Sequence, residues 1–365
     1  MIEADIPFDA GHSPTKVIYL LPHLGIGGAE VGFSIAYPSL ASSLKIECFV
    51  LDRAPADLES VPHTPLSIGA LFRLIRERRE YVLVTSLWRA HLVGMLLQLF
   101  GVRWVAFFHT SVHNGHVVNR VVTRVAASLS EACMFDSRST KAEHESRASH
   151  DLGDVVPFIF HTSLPVVLPH ERHIDLTYVG RFVAVKRIDL CIELCKQCIR
   201  LNPAFRIAFI GLGPQAHRIA ALEAQFPDNV VLHGRLENQL VRAHLRRSRM
   251  NLCLSNHEGM AMAVVEGIQD GCVPVVRMKG EMRNYLDHHS AVIHDESQPI
   301  RSLASRVVSL AKDDAQQIRL NKQARTNLSV YTDYPTAFVA AITKISARQP
   351  RARRYKRSPR MLAGE

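Results

Sequence analysis

Between residues 16 and 276, short unbroken apolar runs alternate with longer segments in which apolar positions return every three or four residues. Unbroken runs of four to six residues fit strands buried on both faces, and the periodic segments fit helices with one face on a core. The first run, Val17 to Leu21, ends at Pro22 and a glycine-rich turn that holds Gly25, Gly27 and Gly28. The pattern then predicts a helix at Ala29 to Leu44, a strand at Ile46 to Leu51, a helix at Ile68 to Glu80 and a strand at Tyr81 to Val84. A helix at His91 to Phe100, a strand at Trp104 to Phe108, a helix at Val117 to Leu129 and a strand at Ala132 to Phe135 follow. Pro157, Pro165 and Pro169 interrupt the periodicity between Phe158 and His173, which predicts a linker.

Beyond it the alternation restarts. Strands are predicted at Leu176 to Val179, Arg206 to Ile210, Val230 to Leu232, Met250 to Leu254 and Val273 to Val276. Helices are predicted between them at Ile188 to Leu201, Pro214 to Gln225, Gln239 to Arg247 and Ala261 to Asp270, with further helical stretches at Ile300 to Leu320 and Pro335 to Ile345. Strand and helix in strict alternation imply parallel α/β sheets, here two in series. The expected organisation is a flexible N-terminus (1–15), a first domain (16–163), a linker (164–173), a second domain (174–332), a C-terminal helix returning to the first domain (333–347) and a basic disordered tail (348–365).

A length of 365 residues agrees with two domains, and 47% hydrophobic with 21% charged residues excludes wholesale disorder and a fibrous architecture. Met1 to Asp5 carries acids where a secretory signal would carry basic residues, and the apolar stretch Leu92 to Phe108 is broken by Gln98, Gly101 and Arg103. Seven scattered cysteines form no disulfide framework and suit a reducing compartment, so a cytoplasmic protein is expected. The net charge of +10 is uneven: Arg348, Arg351, Arg353, Arg354, Lys356, Arg357 and Arg360 crowd one tail with no acid before Glu365. Such a tail suits anionic lipid head groups or other phosphate-rich partners, and a merely solubilising tail has the same composition. The segment 68–80 sets Arg73, Arg76, Arg78 and Arg79 beside Leu71, Phe72, Leu74 and Ile75, a pattern shared by helices on anionic membranes and helices packed on a sheet.

The densest chemistry lies at Asn256 to Gly267, followed by Asp270-Gly271-Cys272-Val273-Pro274-Val275. Glu258 falls in the loop after an apolar strand and Glu266 two turns into the next helix, so two carboxylates flank a helix N-terminus. Free backbone N–H groups and the helix dipole attract phosphate, and carboxylates accept hydrogen bonds from vicinal hydroxyls. A dipole-stabilising Glu and a second Glu on a solvated helix face would have the same spacing. Gly180-Arg181-Phe182-Val183-Ala184-Val185-Lys186 sets a guanidinium and an ammonium five residues apart after the first strand of the second half, suited to a diphosphate or to solvent. Gly25-Ile26-Gly27-Gly28-Ala29-Glu30 is not a dinucleotide fingerprint, since its spacing differs and only Asp52 could serve as the ribose acid.

At these residues the chain resembles the retaining GT-B glycosyltransferases of the glycosyltransferase family 4 type, whose signature is two Glu separated by seven residues before a Gly-x-Pro-Val strand. The resemblance implies two Rossmann-like parallel-sheet domains facing across a cleft, acceptor side first and nucleotide-sugar side second. It also implies that Glu258 contacts the donor sugar, Glu266 the ribose hydroxyls, and Gly259 with the amides of Met260, Ala261 and Met262 the sugar and phosphate. Met260-Ala261-Met262 stands where the family usually has Phe-Gly-Leu. By the same resemblance Gly180, Arg181 and Lys186 meet the donor phosphates, Gly27 and Gly28 bring the first domain against them, Gly211 and Gly213 line the nucleotide side, and Gly234-Arg235 forms the base-contacting turn. His109, at the carboxyl edge of the first sheet, becomes a sugar or transition-state contact, with a strand-capping histidine as the alternative.

Other groupings carry less. His109, His113 and His116 have no carboxylate partner nearby, so a zinc site is not expected. Cys191, Cys195 and Cys198 on one helix spread over about 10 Å at 1.5 Å per residue, too far for one cluster, and read as core. His257-Glu258 lacks the second histidine of a zinc-protease helix. The expected activity is metal-independent transfer of a hexose from a GDP- or UDP-linked donor to a hydroxyl acceptor, a glycan or lipid-linked saccharide, in surface polysaccharide or other glycan synthesis. Glu258, His109, Arg181 and Lys186 are the expected catalytic residues. No tightly bound cofactor and no nucleic-acid partner are expected, and the basic tail predicts a peripheral site on the inner face of the cell membrane. The alternatives are a non-catalytic GT-B scaffold and a nucleotide-sugar epimerase or phosphorylase on the same fold.

Overall fold

A computed structural model describes residues 16–25, 27–52, 61–109, 117–146, 151–161 and 168–348. The expectations for residues 1–15, for residues 164–167 of the linker, for His113 and His116, and for the tail beyond Arg348 lie outside the described residues.

The first sheet contains β1 (Lys16–Leu21), β2 (Lys45–Val50), β3 (His63–Pro65), β4 (Tyr81–Ser86), β5 (Trp104–Phe108), β6 (Ala132–Phe135) and β7 (Gly153–Val155). Its helices are α1 (Gly28–Ser43), α2 (Ile68–Arg76), α3 (Trp88–Leu99), α4 (Val117–Leu129) and α5 (Arg138–Glu145). The strands lie in the order β3-β2-β1-β4-β5-β6-β7, all parallel. The second sheet has the parallel order β10-β9-β8-β11-β12-β13, built from β8 (Ile174–Val179), β9 (Ile207–Ile210), β10 (Val230–Gly234), β11 (Ser248–Cys253), β12 (Val273–Val276) and β13 (Val292–Ile293). Around it lie α6 (Ile188–Leu201), α7 (Ala216–Gln225), α8 (Asn238–Arg246), α9 (Met262–Gln269), α10 (Met282–Tyr285), α11 (Ile300–Ala311) and α12 (Asp314–Leu328), and α13 (Tyr334–Ala347) ends the described chain.

Strand alternation sorts the core. Val17, Tyr19 and Leu21 face a layer that includes Phe33 of α1 and Phe338 of α13, while Ile18 and Leu20 face Leu74 of α2, Leu97 of α3 and Ala126 of α4. The apolar layer under α1 continues into Val264 and Val265 of α9 and Met282 of α10, which ties the two domains together. Helix α13 packs on the first domain: its Tyr334 donates its backbone N–H to the Ile159 carbonyl at 2.8 Å, and its ring stacks on Phe158 at 4.6 Å.

Several elements differ from the sequence pattern. β3, β7, β13, α5 and α10 were not predicted: three are strands of two or three residues, and the polar α5 buries only Thr140 and His144. Strand β4 runs on through Thr85 and Ser86, whose hydroxyls hide its end in the sequence but are buried and partnered, Thr85 accepting from Trp104 Nε1 at 2.7 Å. Helix α2 stops at Arg76 rather than Glu80. The helical stretch from Ile300 divides because Asp313 caps a new helix, its carboxylate accepting from the Gln316 N–H at 2.8 Å.

Candidate active site

In each sheet the strand order reverses beside the first strand, between β1 and β4 and between β8 and β11. Ligands of open α/β sheets bind outside the carboxyl ends of the strands at such a switch point. The two switch points face one another across a cleft of about 890 Å³ lined from both domains. Every residue expected to bind the donor or act in catalysis lines this cleft except Gly234. Gly234 stands just behind the lining, in a left-handed conformation (φ 66°), and its carbonyl accepts the Gly211 N–H at 2.7 Å.

Lys186 closes a short 3-10 turn after β8, and its ammonium donates to Glu258 Oε1 at 2.6 Å. The Cys253 thiol also donates to that oxygen at 3.4 Å. Burial works to raise the Glu258 carboxyl, but the adjacent Lys186 ammonium outweighs it and holds the carboxyl below its ordinary range. Burial likewise works to lower Lys186, and Glu258 outweighs it, so both groups stay charged at neutral pH. Arg181 is exposed into the cleft, and the turn that carries it is fixed where the Tyr178 hydroxyl donates to the Arg181 carbonyl at 3.1 Å. A side chain at Gly211 would run into the Gly180 carbonyl, so the turns after β8 and β9 can nest only because this position is glycine.

Glu266, 8% exposed, is not on a solvated helix face: Asn238 Nδ2, at the start of α8, donates to its Oε1 at 2.8 Å, and burial pushes its carboxyl up. Helix α9 begins after Ala261, which has φ 60° and ψ 60°, a left-handed conformation that costs a residue with Cβ roughly 1–2 kcal/mol. That turn sets the α9 N-terminus, with Met262 and Ala263, onto the cleft. Gly28, from the first domain, lies close by: a Cβ there would sit 3.6 Å from Met262 Sδ.

The first domain adds groups whose charged forms burial disfavours. His109 Nε2 lies 2.6 Å from Ser86 Oγ, and the ring stacks on Phe158 at 4.8 Å. Burial pushes this imidazole down to about 3, so it is neutral at physiological pH. Its Nδ1 is buried without a partner among the described residues. Glu30, in the first turn of α1, is buried and its carboxyl is raised by that burial, with His23 and Arg181 opposing.

Asp136 was missed in the sequence, where a lone acid after β6 looks like a turn residue. It is buried beside Gly259, accepts from the Ser137 hydroxyl at 3.0 Å and from the Met260 N–H, and packs so closely that a Cβ at Gly259 would collide with its carboxylate. Burial pushes Asp136 up to about 7. From the second domain Glu281 reaches back, accepting from the Ser139 N–H and the Tyr331 hydroxyl, each at 2.8 Å. Asp136 thereby holds the loop at Gly259 and Met260 from the opposite domain, and Glu281 ties the second domain to Ser139 of the first.

Among the described residues no group of three or more His, Cys, Asp or Glu side chains could hold a metal ion. Cys191, Cys195 and Cys198 lie in the core beneath α6, and burial pushes each thiol up.

Two parallel doubly wound sheets that face across a cleft by their carboxyl edges make a GT-B fold. Residues 163–327 match the family model described as Glycosyl transferases group 1. The chain is 27% identical over 105 residues to the GDP-mannose:cellobiosyl-diphosphopolyprenol alpha-mannosyltransferase of Xanthomonas oryzae pv. oryzae (strain PXO99A), a match spanning 28% of each protein. The Xanthomonas campestris protein of the same description is 28% identical over the same length. Among solved structures, Anabaena HepE in complex with UDP and glucose superposes with a TM-score of 0.76 at 14% identity, over 92% of this chain and all (100%) of that one. Sucrose-phosphate synthase from Thermosynechococcus elongatus gives 0.66 at 15% identity, over 91% and 98%.

Proposed function

We propose that the protein transfers a hexosyl group from a nucleoside-diphosphate sugar to a hydroxyl of a lipid-linked or other saccharide acceptor, with retention of anomeric configuration and without a metal ion. The observation that carries this is the Lys186–Glu258 ion pair, set with Arg181 and the Asn238-held Glu266 around one helix N-terminus in the cleft.

In the reaction the bond from the anomeric carbon to the diphosphate breaks, the bond to the acceptor oxygen forms, and the acceptor hydroxyl passes its proton to the departing diphosphate. Negative charge gathers on the leaving diphosphate. Arg181 and Lys186 oppose that charge, and the free amides at the start of α9 add to it. Glu258, held ionised by Lys186, accepts hydrogen bonds from the sugar hydroxyls and orients the ring. Glu266 accepts from the ribose hydroxyls, Gly211, Gly213 and the Gly234-Arg235 turn flank the nucleotide, and Gly27 and Gly28 close on the phosphates from the other domain. Neutral His109, anchored on Ser86, contacts the sugar without adding charge. Positioning and charge stabilisation supply most of the rate.

The Xanthomonas relatives use GDP-mannose and a diphosphopolyprenol-linked acceptor according to their descriptions, and HepE was solved with UDP, which supports a GDP- or UDP-hexose here. The basic segment at residues 348–360 would hold the enzyme near anionic lipid on the cytoplasmic side, where such an acceptor is presented. Thermal-shift measurements across a panel of nucleotide sugars, followed by transfer assays on polyprenyl-diphosphate saccharides with and without EDTA, test this. Donor-dependent transfer that survives chelation is the expected result. Epimerised donor without transfer, or no binding to any donor, would overturn it.

A further inference from the structure

We propose that the outer surface of α3 and α4 is a docking face for an anionic lipid bilayer, an inference that rests on the lipid-linked acceptor proposed above. Helix α4 turns Val122, Thr123 and Ala126 into the domain. Its opposite side exposes Val117, Val121, Val125 and Leu129 by 63, 50, 39 and 50%, four apolar side chains at four-residue spacing along one face. Helix α3 packs alongside α4 and exposes Leu92, Leu96 and Leu99 by 45, 48 and 70%. Helix α2, which covers the same side of the sheet, adds Ile68 and Phe72 at 75 and 69%. With Val118 and Phe100, these helices and their ends hold eleven of the eighteen exposed large apolar side chains among the described residues. Scattered exposed apolar residues are ordinary, but such concentration on one layer marks an interaction surface.

Charge selects the partner. The sequences of α2, α3 and α4 contain five arginines and no aspartate or glutamate. Arg73 and Arg89 are paired with Glu47 and Asp52, whereas no carboxylate pairs with Arg120 or Arg124 of α4 among the described residues. An apolar stripe flanked by unpaired guanidiniums suits acyl chains beneath anionic head groups. A second copy of the chain meeting this face about a two-fold axis would set the arginines of one α4 against those of the other, without acids to offset them.

Position gives the face its purpose. Asn119 and Thr123 of α4, with Arg89 and His91 of α3, line the cleft, so the two helices that present the apolar rows outward also form part of the cleft wall. A bilayer seated on them brings its head groups to the mouth of the cleft, where a saccharide on a lipid diphosphate could enter while its chain stays in the membrane.

Sedimentation of the full-length protein with phosphatidylcholine vesicles, with and without phosphatidylglycerol, tests the face and needs neither donor nor acceptor. Val121→Asp with Val125→Asp on α4, and separately Leu96→Glu on α3, should each lower partitioning onto phosphatidylglycerol vesicles by roughly tenfold or more. Arg120→Gln with Arg124→Gln should weaken binding and flatten its salt dependence. Unchanged melting temperature and donor affinity in each variant show that the fold and the donor site are intact. Wild-type protein that ignores the vesicles, variants that bind like wild type, or binding lost only on removing residues 349–365 would overturn the proposal. A solution dimer that the α4 variant dissociates, in a protein that does not bind vesicles, would assign the face to a second copy instead. Donor binding in solution decides the glycosyltransferase reading separately from all of these outcomes.

Discussion

The two domains meet the cleft with the same kind of sheet edge and with opposite electrostatics. On the second domain's side Lys186 and Glu258 form an ion pair whose members hold one another charged, and Arg181 stands exposed beside them. On the first domain's side three buried groups are driven towards neutrality, His109 down to about 3, Asp136 up to about 7 and Glu30 above its ordinary range, while Arg89 at the cleft is paired with Asp52. Burial is the leading cause in all three, and for Glu30 it prevails although His23 and Arg181 oppose it. On the proposed function, the second domain's wall would manage the charge of a diphosphate, and the buried groups of the other would meet a hydroxyl acceptor.

The charged wall is where substitution should cost most. Lys186→Ala and Arg181→Ala are each expected to lower turnover by about 100- to 1000-fold with the fold retained, in steady-state kinetics at saturating donor. Near wild-type turnover in either would remove the charge contrast from the mechanism. Glu266→Ala should weaken donor binding by about 1–3 kcal/mol, since ribose hydroxyls would lose a buried acceptor. Unchanged donor affinity by calorimetry would reject that role.

The neutral wall should show itself in pH dependence. The Asp136 carboxyl, ordinarily near 3.8, is pushed up to about 7, so between these values the folded state holds a proton that the unfolded chain has released. Its contribution to stability is therefore complete below about 3.8 and declines as pH rises towards 7, by at most about 1.4 kcal/mol per pH unit. Asp136→Asn should remove that part of the slope in denaturant titrations across this window. An unaltered slope would mean that Asp136 is ionised in the folded protein. The smallest effect concerns Ala261, held at φ 60°: Ala261→Gly should raise stability by up to about 1 kcal/mol, measured as a higher melting temperature.

The same contrast explains what the sequence reveals. Apolar central strands such as Trp104–Phe108 and Val273–Val276 are legible end to end because both faces are buried. His63–Pro65 and Gly153–Val155 are edge strands three residues long, too short to show a period. In the site, the second domain's groups fall in contiguous segments, Gly180 to Lys186 and Glu258 to Glu266, so their spacing carries meaning, and the family match likewise covers 163–327. Asp136 and Ser86 are single polar residues from two different elements. Only the folded topology sets them against Met260 and His109.

The central claim is that this charged wall drives sugar transfer out of a nucleoside diphosphate, and following the reaction by NMR with a GDP- or UDP-hexose and a polyprenyl-diphosphate saccharide tests it directly. Wild-type enzyme should release nucleoside diphosphate and form a glycoside of retained anomeric configuration in equal amounts, and Lys186→Ala should slow both together by about 100- to 1000-fold. A donor that is epimerised or left intact by the wild type, or a product of inverted configuration, would contradict the account.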